Sequence, residues 1–390
     1  MEQQQSLKEN PSLSQLFISF LRLGATSFGG PAMVAYIRKM AVEQKHWLDD
    51  ESFRDGVALS QTIPGATSMQ TSAYVGLKIR GMAGALVSFI GFGLPAFIFM
   101  MALSALYIRT YSLPAVVSAF DGLRVIVVAI VANAAVSFGR SYLKKQRDAL
   151  IAAVAAITFG FGVTPILAIL LAALLGLMLY GKELFPQVAA GSSEKPYSAK
   201  HLFLLFSAAA LGFLLLFLLD RRLFNLAILM SRIDLFAFGG GYASVPLMFH
   251  EVVEVRSWMN GSTFLNGIVL GQVTPGPIVI TATFVGYVLY GALGGLIATI
   301  YVFLPSFLIL VGGAPYFNRL RSSSYFNKAI SGILCSFVGL LLTVTMRFAL
   351  GISWDFPRLL LSIAAFLALL LNVDILWVVL IGTVISVIIL

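Results

Sequence analysis

Gln61-Thr62-Ile63-Pro64-Gly65-Ala66-Thr67-Ser68-Met69-Gln70-Thr71-Ser72-Ala73-Tyr74-Val75-Gly76 returns, much altered, as Gln272-Val273-Thr274-Pro275-Gly276-Pro277-Ile278-Val279-Ile280-Thr281-Ala282-Thr283-Phe284-Val285-Gly286. Gln61 and Pro64-Gly65 match Gln272 and Pro275-Gly276 at an offset of 211 residues, whereas Thr71 and Val75-Gly76 match Thr281 and Val285-Gly286 at 210. Upstream, Phe28-Gly29-Gly30 recurs as Phe238-Gly239-Gly240, and Glu43, Trp47 and Phe53 recur as Glu254, Trp258 and Phe264. Downstream, Gly81, Gly84, Leu86, Pro95, Phe97 and Gly122 recur as Gly291, Gly294, Leu296, Pro305, Phe307 and Gly332. One insertion and one deletion account for every shift, so the chain consists of two related halves. Internal symmetry of this kind is common in transporters.

Composition places both halves in a membrane. Hydrophobic residues make up 59% of the 390 positions and charged residues 11%, against about 25% charged in a soluble domain. Met82 to Ile108, Ala149 to Tyr180 and Ser257 to Asn318 run for 27, 32 and 62 residues without a charge. A bilayer-spanning helix needs roughly 20 apolar residues. The net charge of +9 does not indicate nucleic acid, because the Lys and Arg residues sit between apolar runs, where cytoplasmic loops collect them. Cys335 is the only cysteine, which excludes a disulfide framework and a thiolate metal site; no metal and no cofactor is expected. Met1 to Asn10 is polar and reads as no signal peptide.

The expected fold is an all-α polytopic membrane protein with about 13 membrane segments, some broken or short, in two inverted homologous repeats. Residues 1–180 form the first repeat, 181–221 a polar linker plus the extra apolar segment Leu202–Leu219, and 222–390 the second repeat. The odd segment inverts the second copy. Charge agrees: Arg140, Lys144, Lys145 and Arg147 follow the fourth segment of the first half, while Arg319, Arg321 and Lys328 precede the fourth segment of the second. Two groups fit poorly. Arg38, Lys39 and Lys45 would face outward, as would Arg221 and Arg222; a re-entrant first segment would repair the first group but change the parity.

The chemistry is expected at paired helix breaks. Thr26-Ser27-Phe28-Gly29-Gly30-Pro31 is matched by Phe238-Gly239-Gly240-Gly241, and Pro64-Gly65 by Thr274-Pro275-Gly276-Pro277. Proline removes a donor and glycine tolerates the bend. Irregular backbone at membrane depth is tolerated where protein buries it or where it lines a cavity. Half-helix N-termini offer N–H groups and a positive dipole to an anion; the alternative is that the glycines only permit close helix packing. Gln61, Gln272, Ser27, Thr67 and Thr274 add amides and hydroxyls near the breaks. They serve equally well to satisfy freed backbone groups.

Arg22 and Arg232 occupy equivalent intramembrane positions. Each is a candidate to grip two oxygens of an oxyanion, or to snorkel or pair with a carboxylate. Asp121 and Asp234 are candidates for proton coupling, although Asp121 and Arg124 have the spacing of a local ion pair. Glu43 with Trp47, and Glu254 with Trp258, read as interfacial anchors. No Ser/His/Asp arrangement, phosphate loop or carboxylate pair supports an enzyme.

Leu23-Gly24-Ala25-Thr26-Ser27-Phe28-Gly29-Gly30-Pro31, Gln61-x-x-Pro64-Gly65, Tyr74-Val75-Gly76 and Leu94-Pro95-Ala96-Phe97, with Thr274-Pro275-Gly276-Pro277 and Leu304-Pro305-Ser306-Phe307 in the second half, resemble the chromate ion transporter family, long-chain type. The resemblance covers nearly the whole chain. It implies transport of chromate, with sulfate as its analogue, as efflux that confers chromate resistance from a prokaryotic cytoplasmic membrane. In the first repeat Ala66 stands where many family members carry the second proline of Pro-Gly-Pro, which puts the anion preference in question. The expected substrate-binding set is Arg22, Arg232, Ser27, Gly29, Gly30, Gln61, Pro64, Gly65, Thr67, Gly239, Gly240, Gly241, Gln272, Thr274, Pro275 and Gly276. The leading reading is a secondary oxyanion transporter working by alternating access, embedded in lipid, with a homodimer as a conceivable assembly. A passive anion channel, or a transporter of another anion on the same fold, is the alternative.

Overall fold

The computed structural model describes residues 11–28, 32–181 and 199–389, and every regular element in them is helical. The first half comprises α1 (Leu13–Thr26), α2 (Ala32–Arg38) running into a π-helical turn (Lys39–Gln44), α3 (Asp50–Thr62), α4 (Thr67–Thr110), α5 (Pro114–Tyr142), α6 (Gln146–Gly160) and α7 (Pro165–Leu179). Then comes α8 (Ala199–Leu219). The second half comprises α9 (Arg221–Phe236), a 3-10 turn (Gly241–Ala243), α10 (Ser244–Phe249) with its own π-helical turn (His250–Val255), α11 (Gly261–Val273), a 3-10 turn (Ile278–Ile280), α12 (Thr281–Gly313), α13 (Phe317–Arg321), α14 (Ser324–Leu350), α15 (Phe356–Leu370) and α16 (Ile375–Ile389).

The repeat read from the sequence extends to the backbone. Both π-helical turns end on a left-handed residue, His46 at φ 53° and Ser257 at φ 49°. Trp47 and Trp258 then close the turn by donating to the Ala41 and Val252 carbonyls at 2.8 and 2.9 Å. Gly65 and Gly276 share φ 102° and 110°.

α4 and α12 are hairpins rather than rods. Each reverses at a glycine, Gly81 (φ 61°, ψ −150°) and Gly291 (φ 63°, ψ −154°), in a region of backbone space that only glycine occupies freely. Past the reversal the arms touch: a Cβ on Gly76 or Gly84 would lie 2.2 Å from the carbonyl oxygen of the other, and Gly286 and Gly294 repeat this.

These reversals change the segment count. Among the described residues, five helices are long and apolar enough to cross a membrane: Thr67–Thr110, Pro114–Tyr142, Lys200–Leu219, Ile278–Tyr316 and Ser324–Leu350. The apolar run Leu13–Phe28 holds a helix of only 14 residues, about 21 Å long at 1.5 Å per residue, shorter than the ~30 Å hydrocarbon core. The stretch Phe53–Ile79, continuous by hydropathy, divides into α3 and the first arm of α4. Hydropathy did not report the divisions because the residues that make them, Pro, Gly, Ala and Thr, are themselves neutral or apolar.

Within each half, α1 packs on α4 and α9 on α12; between halves, α4 packs on α12 and α5 on α14. The last two helices of each half are exchanged. α6 and α7 pack on α14, while α15 and α16 pack on α5. Small residues make the exchange close, as expected where dispersion rather than water drives helix association. A Cβ on Gly332 would meet the Ala172 carbonyl oxygen at 2.2 Å, and one on Gly122 would meet Ser386 Oγ at 2.2 Å. Tyr142 lies beside Cys335 and Gly139 beside Val338, so α5 and α14 run antiparallel.

Candidate functional site

The breaks after α1, α3, α9 and α11 meet between the halves. Two backbone bonds tie them reciprocally: Gly65 N–H donates to the Ala237 carbonyl at 2.9 Å, and Gly276 N–H donates to the Ser27 carbonyl at 3.0 Å. Ser27, Pro64, Gly65 and Pro275 belong to this buried crossing and do not line open space. A side chain at Gly65 would meet Ser306 Cβ at 2.5 Å and Asp234 Oδ1 at 2.8 Å, at a φ of 102°, so only glycine fits.

Beside the crossing is a cavity of about 680 Å³. All four chain segments that restart after a break line it: the first turn of α2 through Met33 to Ala35, Thr67 and Ser68 of α4, Gly241 and Tyr242, and Ile278. Gly239 and Gly240, at φ 92° and 103°, join them. Among the described residues no backbone carbonyl accepts from the N–H groups of Gly239, Gly240 or Gly241. Gln61, Gln272, Thr274 and Gly276 complete the expected residues that the structure brings together here. Tyr242 donates to Gln272 Oε1 at 3.4 Å, and Gln272 Nε2 is buried without a partner among the described residues. A wall of exposed N–H groups at helix starts, with hydroxyls and amides, can replace the hydration of an anion.

The charge of the lining has one sign. Arg38 and Arg54 face the cavity, and among the described lining residues there is no carboxylate. Arg38 bridges Glu43 at 2.5 Å and Asp50 at 2.7 Å, and Arg54 also reaches Asp50. Hydrogen bonds from Arg38 and then Arg54 hold the Asp50 carboxyl below its ordinary range. The mouth is shared with Ser141 and Tyr142 at the end of α5, and Arg321 beside α14 reaches Asp55 at 3.5 Å. Arg38, the loop after α5 and the loop before α14 therefore lie at one end of the molecule. This corrects the topology that set Arg38 opposite the loop after α5; the break in the first segment is the reason.

Four expected residues lie elsewhere. Arg22 is exposed, and its carbonyl accepts from Thr26. Arg232 bridges Glu251 at 3.3 Å. Neither lines the cavity. Asp121 is held by Arg124 at 2.7 Å, and Arg124 continues to Asn266 at 2.8 Å. Asp234 repairs a proline break. Pro305 cannot donate to the Tyr301 carbonyl, so Ser231 Oγ does, at 3.2 Å, while Asp234 Oδ2 accepts from Ser306 N–H at 2.7 Å. Asp234 Oδ1 is buried and has no hydrogen-bond partner among the described residues. Gly29 and Gly30 lie outside the described residues. Sequence reasoning missed Arg38, Arg54, Ser137, Phe138 and Tyr142 as lining; the poor topological fit of Arg38 was the signal.

The Chromate transporter family pattern matches this chain twice, over residues 14–177 and 224–387. The chain belongs to the chromate transporter family. The two matched stretches are the two halves of the fold, and this transporter is a multi-pass membrane protein with apolar helices. It is 43% identical to an uncharacterised transporter of Methanocaldococcus jannaschii, over 98% of this chain and 96% of that one. It is 30% identical to the chromate transport protein of Cupriavidus metallidurans, over 93% of this chain and 88% of the relative. It is 29% identical to a probable chromate transport protein of Synechococcus elongatus, over 92% and 90%. No solved structure matches.

Proposed function

We propose that the cavity is the substrate site of a secondary transporter for a tetrahedral oxyanion, chromate first and sulfate as its look-alike, in a prokaryotic cytoplasmic membrane. The observation that carries the reading is the convergence of four restarted segments on a cavity whose described lining holds two arginines and no carboxylate. Family membership supports chromate as the anion. The antiparallel run of α5 and α14 supports inverted repeats, the architecture that alternates access around a central site. By the positive-inside rule the mouth beside Arg140, Lys144 and Lys145 faces the cytoplasm, which suits loading for export.

Attraction of the dianion falls to Arg38 and Arg54 rather than to Arg22 and Arg232. The glycine amides and helix starts bind it. Asp234 is the better coupling candidate, because Asp121 is engaged by Arg124 while Asp234 Oδ1, beside the crossing, has no partner among the described residues. The test is uptake of labelled chromate into proteoliposomes, with and without a pH gradient and with sulfate as competitor. Gradient-stimulated, sulfate-sensitive uptake is expected. Absence of flux for both anions sinks the reading, and flux that never exceeds the electrochemical gradient favours the channel instead.

A further inference from the structure

The residues at the mouth of the cavity have counterparts in the second repeat, and the two sets are in different states. Arg38, Phe53 and Phe138 line the open cavity. Their counterparts at offsets of 211, 211 and 210 are Phe249, Phe264 and Phe348. These three pack ring on ring: Phe249 lies 4.9 Å from Phe348 and 5.6 Å from Phe264, and Phe264 lies 6.4 Å from Phe348. The next turn of helix shows the same contrast. Val57 and Ala58 line the cavity and are partly exposed, whereas their counterparts Ile268 and Val269 are 0% and 2% exposed.

A bridge fastens the closed set. Arg347 Nη1 donates to both carboxylate oxygens of Glu254 at 2.5 Å, and Nη2 donates to the Phe159 carbonyl at 2.6 Å. His250 Nδ1 lies 2.8 Å from the same carboxylate. α14, the second π-helical turn and the end of α6 are thereby tied together. The counterpart of Arg347 is Ser137, which lines the cavity and is too short to make such a bridge. Glu43, the counterpart of Glu254, pairs instead with Arg38 five residues back on its own segment.

We infer that Phe249, Phe264 and Phe348 form the closed gate of a second vestibule for the transported oxyanion, opening at the opposite membrane face when the Arg347–Glu254 bridge parts. The inference rests on the transport reading. It gives that reading a path: the anion held in the cavity beside the crossing leaves between α11 and α14, past Gln272, whose buried Nε2 has no partner among the described residues. Opening this gate repeats in the second half the arrangement the first half now shows, and the packed arrangement passes to Arg38, Phe53 and Phe138.

Accessibility tests this without measuring flux. In a chain carrying Cys335→Ser, single Ala58→Cys and Val269→Cys substitutions are labelled with an impermeant maleimide in right-side-out and everted vesicles. Ala58→Cys is expected to react from the cytoplasmic face. Val269→Cys is expected to resist labelling from both faces until Glu254→Gln is added, and then to react from the outer face about tenfold faster or more, since local opening sets the rate. Phe348→Ala is a second way to release the gate if Glu254→Gln does not insert. Val269→Cys reacting as fast as Ala58→Cys in the unreleased chain, or from the cytoplasmic face, or no faster in either released variant, overturns the inference. Loss of chromate flux with this labelling pattern intact counts against the transport reading and leaves the gate standing.

Discussion

At the scale of single residues, position relative to the breaks separates side chains that resemble each other in sequence. Arg22 and Arg38 flank the same break, yet only Arg38 lines the cavity. Arg38 is exposed and shares its charge with Glu43 and Asp50, so solvent and its partners screen it. Arg38→Ala should therefore raise the chromate concentration for half-maximal flux only severalfold. Arg22→Ala should leave it unchanged. Flux titrations in proteoliposomes compare the two. The bridge at the mouth should not titrate near neutrality: a carboxyl with a lowered pKa contributes above its ordinary value of about 3.9 and loses its pairing only as pH falls through the lower folded value.

Asp234 makes a sharper case. Asp234→Ala strips the Ser306 N–H of its acceptor and should cost about 1–3 kcal/mol, read as a lower unfolding temperature in detergent. Asp234→Asn keeps an acceptor oxygen and should keep the fold. If Asp234 couples a proton to the anion, Asp234→Asn abolishes stimulation by a pH gradient while downhill exchange persists; unchanged stimulation rejects that role.

At the scale of elements, the glycine hairpins decide how the helices are cut. Among the described residues nothing lies within 4 Å of a Cβ placed on Gly81 or Gly291, so substitution there meets only backbone strain, about 1–3 kcal/mol. At Gly76 a Cβ would lie 2.2 Å from a backbone carbonyl oxygen. Gly81→Ala and Gly291→Ala should therefore lower thermal stability by similar, modest amounts, and Gly76→Ala by clearly more. Equal losses at Gly76 and Gly81 would mean that the arms separate at little cost.

At the scale of the molecule, the exchange of the final helix pairs makes the halves interdependent. α6 and α7 have their main partner in α14, and α15 and α16 have theirs in α5. Residues 1–180 expressed alone should insert but be degraded, because α14 is missing, and co-expression with residues 199–390 should restore both. Co-purification through a tag on one half measures this; a stable, monodisperse first half on its own would show that α6 and α7 find another partner.

The sequence by itself determined the membrane class, the two halves and the four breaks, because apolar content and repeated Pro and Gly are local properties that survive linear reading. It also singled out Gln61, Thr67, Gly239, Gly240, Gly241, Gln272, Thr274 and Gly276, which do line the cavity. Only the tertiary structure decided the rest. It turned α4 and α12 back at Gly81 and Gly291, crossed the breaks through the Gly65–Ala237 and Gly276–Ser27 bonds, and brought Arg38 rather than Arg22 to the mouth. Hydropathy counts apolar residues but is blind to a reversal made by a glycine of positive φ. Symmetry pairs Arg22 with Arg232 but does not say which face of a helix meets the cavity. Packing between the halves settles that, and it leaves one mouth open and its counterpart filled by three phenylalanines.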